Sequence, residues 1–451
     1  MYFIKLQLFQ IKKYGLFLWL LVGFNLQAQQ TWTLQACIDY ALAHHPEIQQ
    51  QKTKIINSNL LLKQAKYDFL PALSFNANQG FNLGNTYNIS TGVGQKQSSF
   101  TGISLNADVV LFNGLLKHYQ LKKHRISLEE AQAGLQNKKL ELTRQIIETF
   151  LSAALHKAEI EYWQAELSSM KKSMDIARQL TQKHLKPLTE LYSLKSEYQK
   201  MELQHIQIAK DYKNILIKLS ALIGIKDSLH INITDTNNYK IESVKFDTEN
   251  FPAVKQLKKH LMAEQYQLKI LKSKLYPNLS LRYSFYTNYY HIIGQPDIIY
   301  NQTTNQWETN GWQQQFQNNR LHYIGLSLHI PVFYGFKNRL QIKIKQNQLK
   351  ELRSEIAYKQ NEIEKIYQQL KNEVKTSQQK LQLLDKNLAL NQQLLDIATQ
   401  KWQKSLLSVL DYLQIKRQYT QAMLKRLQEA HILRYKKRIL NILNQASQAK
   451  Q

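Results

Sequence analysis

The stretch GISLNADVVLFNG, Gly102 to Gly114, returns 221 residues later as YIGLSLHIPVFYG, Tyr323 to Gly335. In the first copy Ile103, Leu105, Ala107, Val109 and Leu111 alternate with Ser104, Asn106, Asp108 and Val110. In the second Ile324, Leu326, Leu328, Ile330 and Val332 alternate with smaller or polar residues. Period two is the mark of a strand with one apolar and one wet face. Each run ends in Phe-x-Gly and leads into a long, polar, helix-forming segment. The chain carries one signal twice, and the duplication sets its fold.

Working outward, YDFLPALSFNANQGFNL (Tyr67 to Leu83) and SKLYPNLSLRYSFY (Ser273 to Tyr286) precede the two copies, with Pro71 matching Pro277. Both prolines stop a helix and open a strand, because proline has no N–H to give a helix interior. Each half thus holds two strands near 72–82, 101–112, 278–288 and 321–333, about ten residues each, long enough to cross a bilayer when tilted. The joining segments, Gly84 to Ser99 and Thr287 to Arg320, are polar with aromatics, as surface loops at a membrane interface are. After each second strand a heptad track begins, through Leu121, Leu128, Leu135 and Leu142 in one half and Ile363, Leu370 and Leu384 in the other. A helix from about 115 to 182 would extend roughly 100 Å. Each helix then turns, with tips expected at 184–189 and 402–409, on matching Thr181-Gln182-Lys183-His184 to Thr399-Gln400-Lys401-Trp402.

The N-terminus reads Lys12-Lys13, an apolar run to Phe24 and then NLQAQQ, the order of a secretory signal peptide cut after Ala28. The expected organisation is signal peptide 1–28, first half-repeat 29–224, connector 225–250, second half-repeat 251–446 and tail 447–451. The formal net charge of +27 falls to +24 without Lys5, Lys12 and Lys13, which would admit nucleic acid or anionic lipid as a partner. The lysines are spread along Gln/Lys/Glu-rich helices rather than gathered beside stacking aromatics, so nucleic acid is not expected. Cys37 is the single cysteine, which excludes an intrachain disulfide and a multi-Cys metal site. It reads as a buried small residue in a short helix rather than a lipidation site. His44-His45 reads as structural, and His291, His322 and His329 have no ligand spacing. No phosphate loop, nucleophile elbow or paired carboxylates are found, so no catalytic, cofactor or metal residue is assigned.

Four amphipathic strands cannot close a barrel, and an open sheet edge in hydrocarbon leaves N–H and C=O groups unpaired at several kcal/mol each. The chain must oligomerise; three copies give twelve strands, wide enough for an aqueous lumen. The expected fold class is mainly α with membrane β: a trimeric twelve-stranded barrel, four strands per chain, continued by a long coiled-coil barrel and internally duplicated. Asn106, Asp108 and Ser327 would then line water, while Ile103, Leu105, Leu326 and Leu328 meet lipid. A secreted or periplasmic coiled-coil scaffold or adhesin without a pore is the rival reading; it accounts for the heptads but not for the duplicated strands.

The opening TWTLQACIDYALAHHPEIQ (Thr31 to Gln49), the two helix-to-strand prolines and the strand ends VLFNG and PVFYG resemble the TolC-like outer membrane factors of Gram-negative bacteria. The resemblance covers nearly the whole mature chain. It implies a homotrimer in the outer membrane that extends into the periplasm and serves as the exit duct of an efflux pump or type I secretion system. The implied partners are a periplasmic adaptor (membrane fusion) protein, an inner-membrane RND or ABC-type transporter and outer membrane lipid. In that family the hairpin tips hold a Gly; here Lys186-Pro187-Leu188 and Lys404-Ser405-Leu406 stand in its place, and the acids persist as Glu190 and Asp411. The resemblance makes Lys186, Pro187, Leu188, Glu190, Ser405 and Leu406 adaptor-docking candidates. Asp411, Lys404 and Ser408 become candidates for a periplasmic gate, with Ser408 where the family has another acid.

Overall fold

A computed structural model describes residues 31–87, 94–225, 230–231 and 246–448. The expected signal peptide, most of the expected connector and residues 449–451 of the tail lie outside the described residues. The chain divides into two compact units, each drawing on both half-repeats: one from residues 51–135 and 252–361, the other from residues up to 50, 136–251 and from 362 onward.

The unit of residues 51–135 and 252–361 is built on a four-stranded antiparallel sheet of β2 (Ala72–Tyr87), β3 (Gly94–Phe112), β5 (Asn278–Ile292) and β8 (Leu321–His329), in that order. Helix α2 (Pro46–Tyr67) leads into β2 and α5 (Pro252–Ser273) into β5. The two junctions have the same geometry. Leu70 N–H bonds to Tyr67 O at 2.9 Å in one and Tyr276 N–H to Ser273 O at 3.1 Å in the other, and each proline then releases the chain into its strand. At the strand exits Gly114-Leu115 and Gly335-Phe336 adopt positive φ in both halves. Helices α3 (Leu116–Gln182) and α7 (Lys337–Gln403) follow, each of 67 residues.

Register sets the ends of the sheet. Ala72 pairs with Asp108, Phe112 with Leu279 and Asn278 with His329. All four helix junctions therefore leave from one end of the sheet, and the opposite strand ends lie at the other. Strands β2, β3 and β5 run past the expected ends, with the β2–β3 ladder continuing to Tyr87 and Gly94. Strand β8 is shorter than expected. It stops at His329, which pairs with Asn278, the first residue of β5, because Pro277 before it cannot donate to a ladder.

The loop between β5 and β8 contains structure that periodicity did not indicate: a hairpin of β6 (Ile298–Asn301) and β7 (Gln306–Thr309), then a short helix α6 (Trp312–Asn318). Buried Gln315 ties α6 to the strand, accepting from Tyr290 N–H at 2.9 Å and donating to Tyr290 O at 3.1 Å. Asp297 accepts from Tyr289 Oη and His291 Nδ1, both at 2.7 Å.

In the second unit α1 (Leu34–His44) is capped by Thr33, whose hydroxyl accepts from Ala36 N–H at 3.2 Å. Cys37 is fully buried there, and burial pushes its thiol pKa up to about 12. His44 stacks on Tyr40 and His45 Nδ1 accepts from Glu47 N–H, so both serve the α1–α2 corner. A two-residue strand β1 (Thr31–Trp32) runs parallel to β4 (His230–Ile231). The rest of α3 turns into α4 (Leu188–Ile223), and the rest of α7 into α8 (Val409–Gln448).

The two turns have the same backbone. Helix α3 ends with His184 N–H on Thr181 O and Leu185 N–H on Leu180 O; α7 ends with Ser405 N–H on Trp402 O and Leu406 N–H on Lys401 O. These are paired Schellman closures with His184 and Ser405 at positive φ. They correct the expected alignment of the tips. Lys183 matches Lys404 rather than Lys401, and Lys186 matches Leu407, because the duplication runs without a gap from Gly114 and Gly335 through both turns.

Candidate functional site: sheet faces and hairpin tips

Cross-strand register sorts the sheet into two faces. Ser74, Asn106 and Ser284 stand in one row, and Asp108 opposes Arg282 with a 2.6 Å ion pair between them. Ser280 opposite Ser327 continues this polar face. On the other face Phe75, Leu105 and Phe285 stand in one row, and Val109, Leu281 and Leu326 in another, with Leu279 opposite Leu328. Asn106, Asp108 and Ser327 thus share one face, and Ile103, Leu105, Leu326 and Leu328 the other. Strands β2 and β8 are the edges, and their apolar residues are the most open: Leu326 is 68% exposed and Phe75 66%. Such open apolar edges invite pairing with another chain.

Glycine at the two strand exits meets different surroundings. A Cβ on Gly114 would lie 2.7 Å from Ser273 O and from Tyr276 Cβ, whereas Gly335 faces open space. Tyr67 and Leu70, at the positions in the α2–β2 junction that correspond to Ser273 and Tyr276, are 65% and 62% exposed.

At the tips, the two hairpins of the second unit share one core. Trp402 is fully buried among Ala177, Leu191, Leu194, Ala398 and Leu413 and stacks on Tyr412 at 4.9 Å. Its indole Nε1–H donates to Glu190 Oε2 at 3.3 Å, and Lys186 Nζ binds the same oxygen at 2.7 Å while lying 4.9 Å over the indole ring. Lys186 and Glu190, expected on the docking surface, are instead withdrawn into the tip: a buried cation is held by a carboxylate and a π-face. The residues left exposed there include Leu185, Pro187, Leu188, Leu406 and Leu410, with Lys183, Lys404 and Ser405 beside them. Ser408 is the N-cap of α8: Asp411 N–H donates to its hydroxyl at 3.1 Å, and the hydroxyl donates to Asp411 Oδ2 at 2.7 Å. Asp411 thus has a local bonding role in the first helical turn.

Further along this unit polar pairs join the hairpins. Lys416, nearly inaccessible, forms an ion pair with Glu166 and donates to Ser169 Oγ, both at 3.1 Å; Tyr412 Oη lies 3.4 Å from Ser173 Oγ, and Gln428 donates to Glu159 at 3.1 Å. Burial, with the Glu166 carboxylate nearby, raises the Tyr162 pKa. No helix among the described residues is long and apolar enough to cross a membrane. His322 and His329 are each within hydrogen-bond distance of one tyrosine, Tyr283 and Tyr334. The Trp402–Glu190–Lys186 cluster escaped sequence reasoning because Trp402 lies more than 200 residues from the other two; the mismatch of a lone Trp within a Gln/Lys-rich helix end was the available signal.

A family model described as "Outer membrane efflux protein" matches residues 37–225 and 248–433. No curated protein matches the chain. Among solved structures, the CmeC outer membrane channel of Campylobacter jejuni is similar with a TM-score of 0.78 at 12% identity, covering 93% of this chain and 87% of that one. The outer membrane protein VceC of Vibrio cholerae gives 0.76 at 16% identity over 93% and 97%. CusC, described for folding and transmembrane channel formation, gives 0.78 at 14% identity over 93% and 95%.

Proposed function

The chain belongs to the outer membrane efflux protein family, and from that premise we propose that three copies close a twelve-stranded barrel and act as the exit duct of a tripartite pump. In this reading solutes reach the duct from an inner-membrane RND or ABC-type transporter through a periplasmic adaptor. The adaptor meets the exposed apolar tip of Leu185, Leu188, Leu406 and Leu410, flanked by Lys183 and Lys404. Lumen water lies against Asn106, Asp108 and Ser327, and lipid against Ile103, Leu105, Leu326 and Leu328. The duct itself is passive and uses no catalytic residue.

The observation that supports closure is the pair of glycines. Gly114 is packed by its own chain, while Gly335 is open and the matching residues Tyr67 and Leu70 are exposed. A second copy laying its β2 along β8 repeats the β3–β5 contact and fills that space. The internal pairing of Asp108 with Arg282 then becomes His329 against Asn76 of the next copy, and Ser327 falls opposite Asn78. The test is a chain carrying both Ser327→Cys and Asn78→Cys, since directly opposed strand residues lie within disulfide reach. Oxidation should give a cross-linked trimer on a non-reducing gel, and the pair Ser327→Cys with Ala77→Cys, on opposite faces, should not. Monomer alone from both pairs, in a chain recovered without detergent, would discard the duct.

A further inference from the structure

The two ends of the sheet, along the strand direction, differ in charge. The windows 61–70, 115–126, 266–277 and 336–350, which carry the four helix junctions, contain 14 Lys and Arg and one acid, Asp68. The sequence windows 84–99 and 287–320, which hold the opposite strand ends and what joins them, contain two of each sign. The duplication repeats the cations in place: Lys66 corresponds to Lys272, and Lys122 to Lys343. All four are exposed, and none has a carboxylate partner among the described residues. Lys66 and Lys272 sit one residue from the ends of α2 and α5, while Lys122 and Lys343 lie about 9 Å along α3 and α7. That depth matches a headgroup layer beyond a hydrocarbon core.

Exposed aromatics mark the same level: Tyr67, Phe69, Tyr276, Phe333, Tyr334 and Phe336. Lys117 lies 6.0 Å over the Phe69 ring, and Arg339 lies 5.7 Å over Phe336. Lys117 also lines a cavity of about 360 Å³ with Asp108, Val110 and Ser280 of the polar face. At about 100° per residue Lys122 points roughly 140° away from Lys117, toward the opposite side. An aromatic girdle followed by exposed lysines without carboxylate partners, with Lys122 turned away from the polar face, has the chemistry of a phosphate-bearing membrane surface.

We propose that this helix-bearing end of the sheet binds the headgroups of anionic phospholipids in the leaflet that faces the periplasm, with Lys66, Lys122, Lys272 and Lys343 as the contacting cations. The proposal rests on the membrane-duct reading. A polyanionic cell-wall glycan would sit farther along the helices, away from the aromatic level.

The test places the full chain in phosphatidylcholine bilayers with either spin-labelled phosphatidylglycerol or spin-labelled phosphatidylcholine and measures the fraction of probe immobilised by protein. Phosphatidylglycerol should be favoured by roughly fivefold or more at about 0.05 M salt, the effect of one lysine near a surface. The preference should fall at about 1 M salt, where screening acts within about 3 Å. It should be largely lost in the variant Lys66→Gln, Lys122→Gln, Lys272→Gln, Lys343→Gln. A control, Lys371→Gln, Lys375→Gln, Lys380→Gln, Lys386→Gln, removes equal charge from the shaft of α7 and should keep the preference. Absent preference, or equal loss in both variants, overturns the proposal. So does an intact lipid preference when the belt variant loses anion selectivity of the pore, which puts the lysines in the lumen, or loses sedimentation with purified sacculi, which assigns them to the cell wall. Immobilisation of neither probe would instead refute the membrane-duct reading itself.

Discussion

Gly114 and Gly335 adopt φ of 65° and 58° at equivalent strand exits, yet one is wedged against Ser273 and Tyr276 and the other is open. The two hairpin tips show the same relation: identical backbone closures carry Lys186 and Pro187 in the first half and Leu407 and Ser408 in the second. Duplication has kept the main chain and let the surroundings diverge. A repeated backbone conformation therefore says what the chain can do locally, while the packing around it says which copy has a partner within its own chain.

The comparison breaks most sharply at Trp402, whose counterpart is Thr181. Trp402→Ala should lose about 3 to 5 kcal/mol, because it empties a buried site and strips Glu190 and Lys186 of a shared partner. Thr181→Ala, which removes only a hydroxyl bonded to Ala177 O at 2.9 Å, should cost under about 1 kcal/mol. Denaturant unfolding of the purified proteins in detergent measures both; equal losses would show that the tip core does not depend on the second half's indole.

At the strand exits, Gly114→Ala should destabilise by about 2 to 3 kcal/mol, from positive-φ strain together with a clash against backbone. In a dissociated chain Gly335→Ala should cost only about 1 kcal/mol, the strain alone. In the assembled state its cost should rise toward that of Gly114→Ala, read as a lower temperature for loss of trimer. A Gly335→Ala protein with unaltered assembly would mean that no neighbour fills that space.

The smallest effect belongs to the turns, where His184 and Ser405 hold a left-handed conformation that favours glycine. His184→Gly and Ser405→Gly should each stabilise by about 0.5 to 1 kcal/mol in thermal unfolding. A gain in only one would show that the shared backbone hides unequal strain.

Period-two alternation and the two prolines carried the strands, and the heptad tracks carried the long helices, because both signals are local and repeat along the chain. Strand ends were less legible. A ladder continues while a partner strand lies opposite, which took β3 back to Gly94, and β8 stops at His329 because its partner begins only at Asn278, after Pro277. The β6–β7 hairpin and α6 fell within a segment whose polar and aromatic residues have no period, and they are held by individual side chains such as Gln315, which bonds both backbone groups of Tyr290. The faces of Asn106 and Leu105 were readable from alternation alone. The withdrawal of Lys186 and Glu190 was not, since it depends on a Trp from the other half.

The equal lengths of α3 and α7 have a consequence for how this chain tolerates insertions. One extra residue in either helix would advance its tip by about 1.5 Å and rotate it by about 100°. That would turn Leu185 or Leu406 away from any surface that reads both tips at one level. The segments that join strands carry no such phase: the second is already 15 residues longer than the first, on matching strands. Insertions should therefore cost less at the β6–β7 turn, between Asn301 and Gln306, than along the two 67-residue helices.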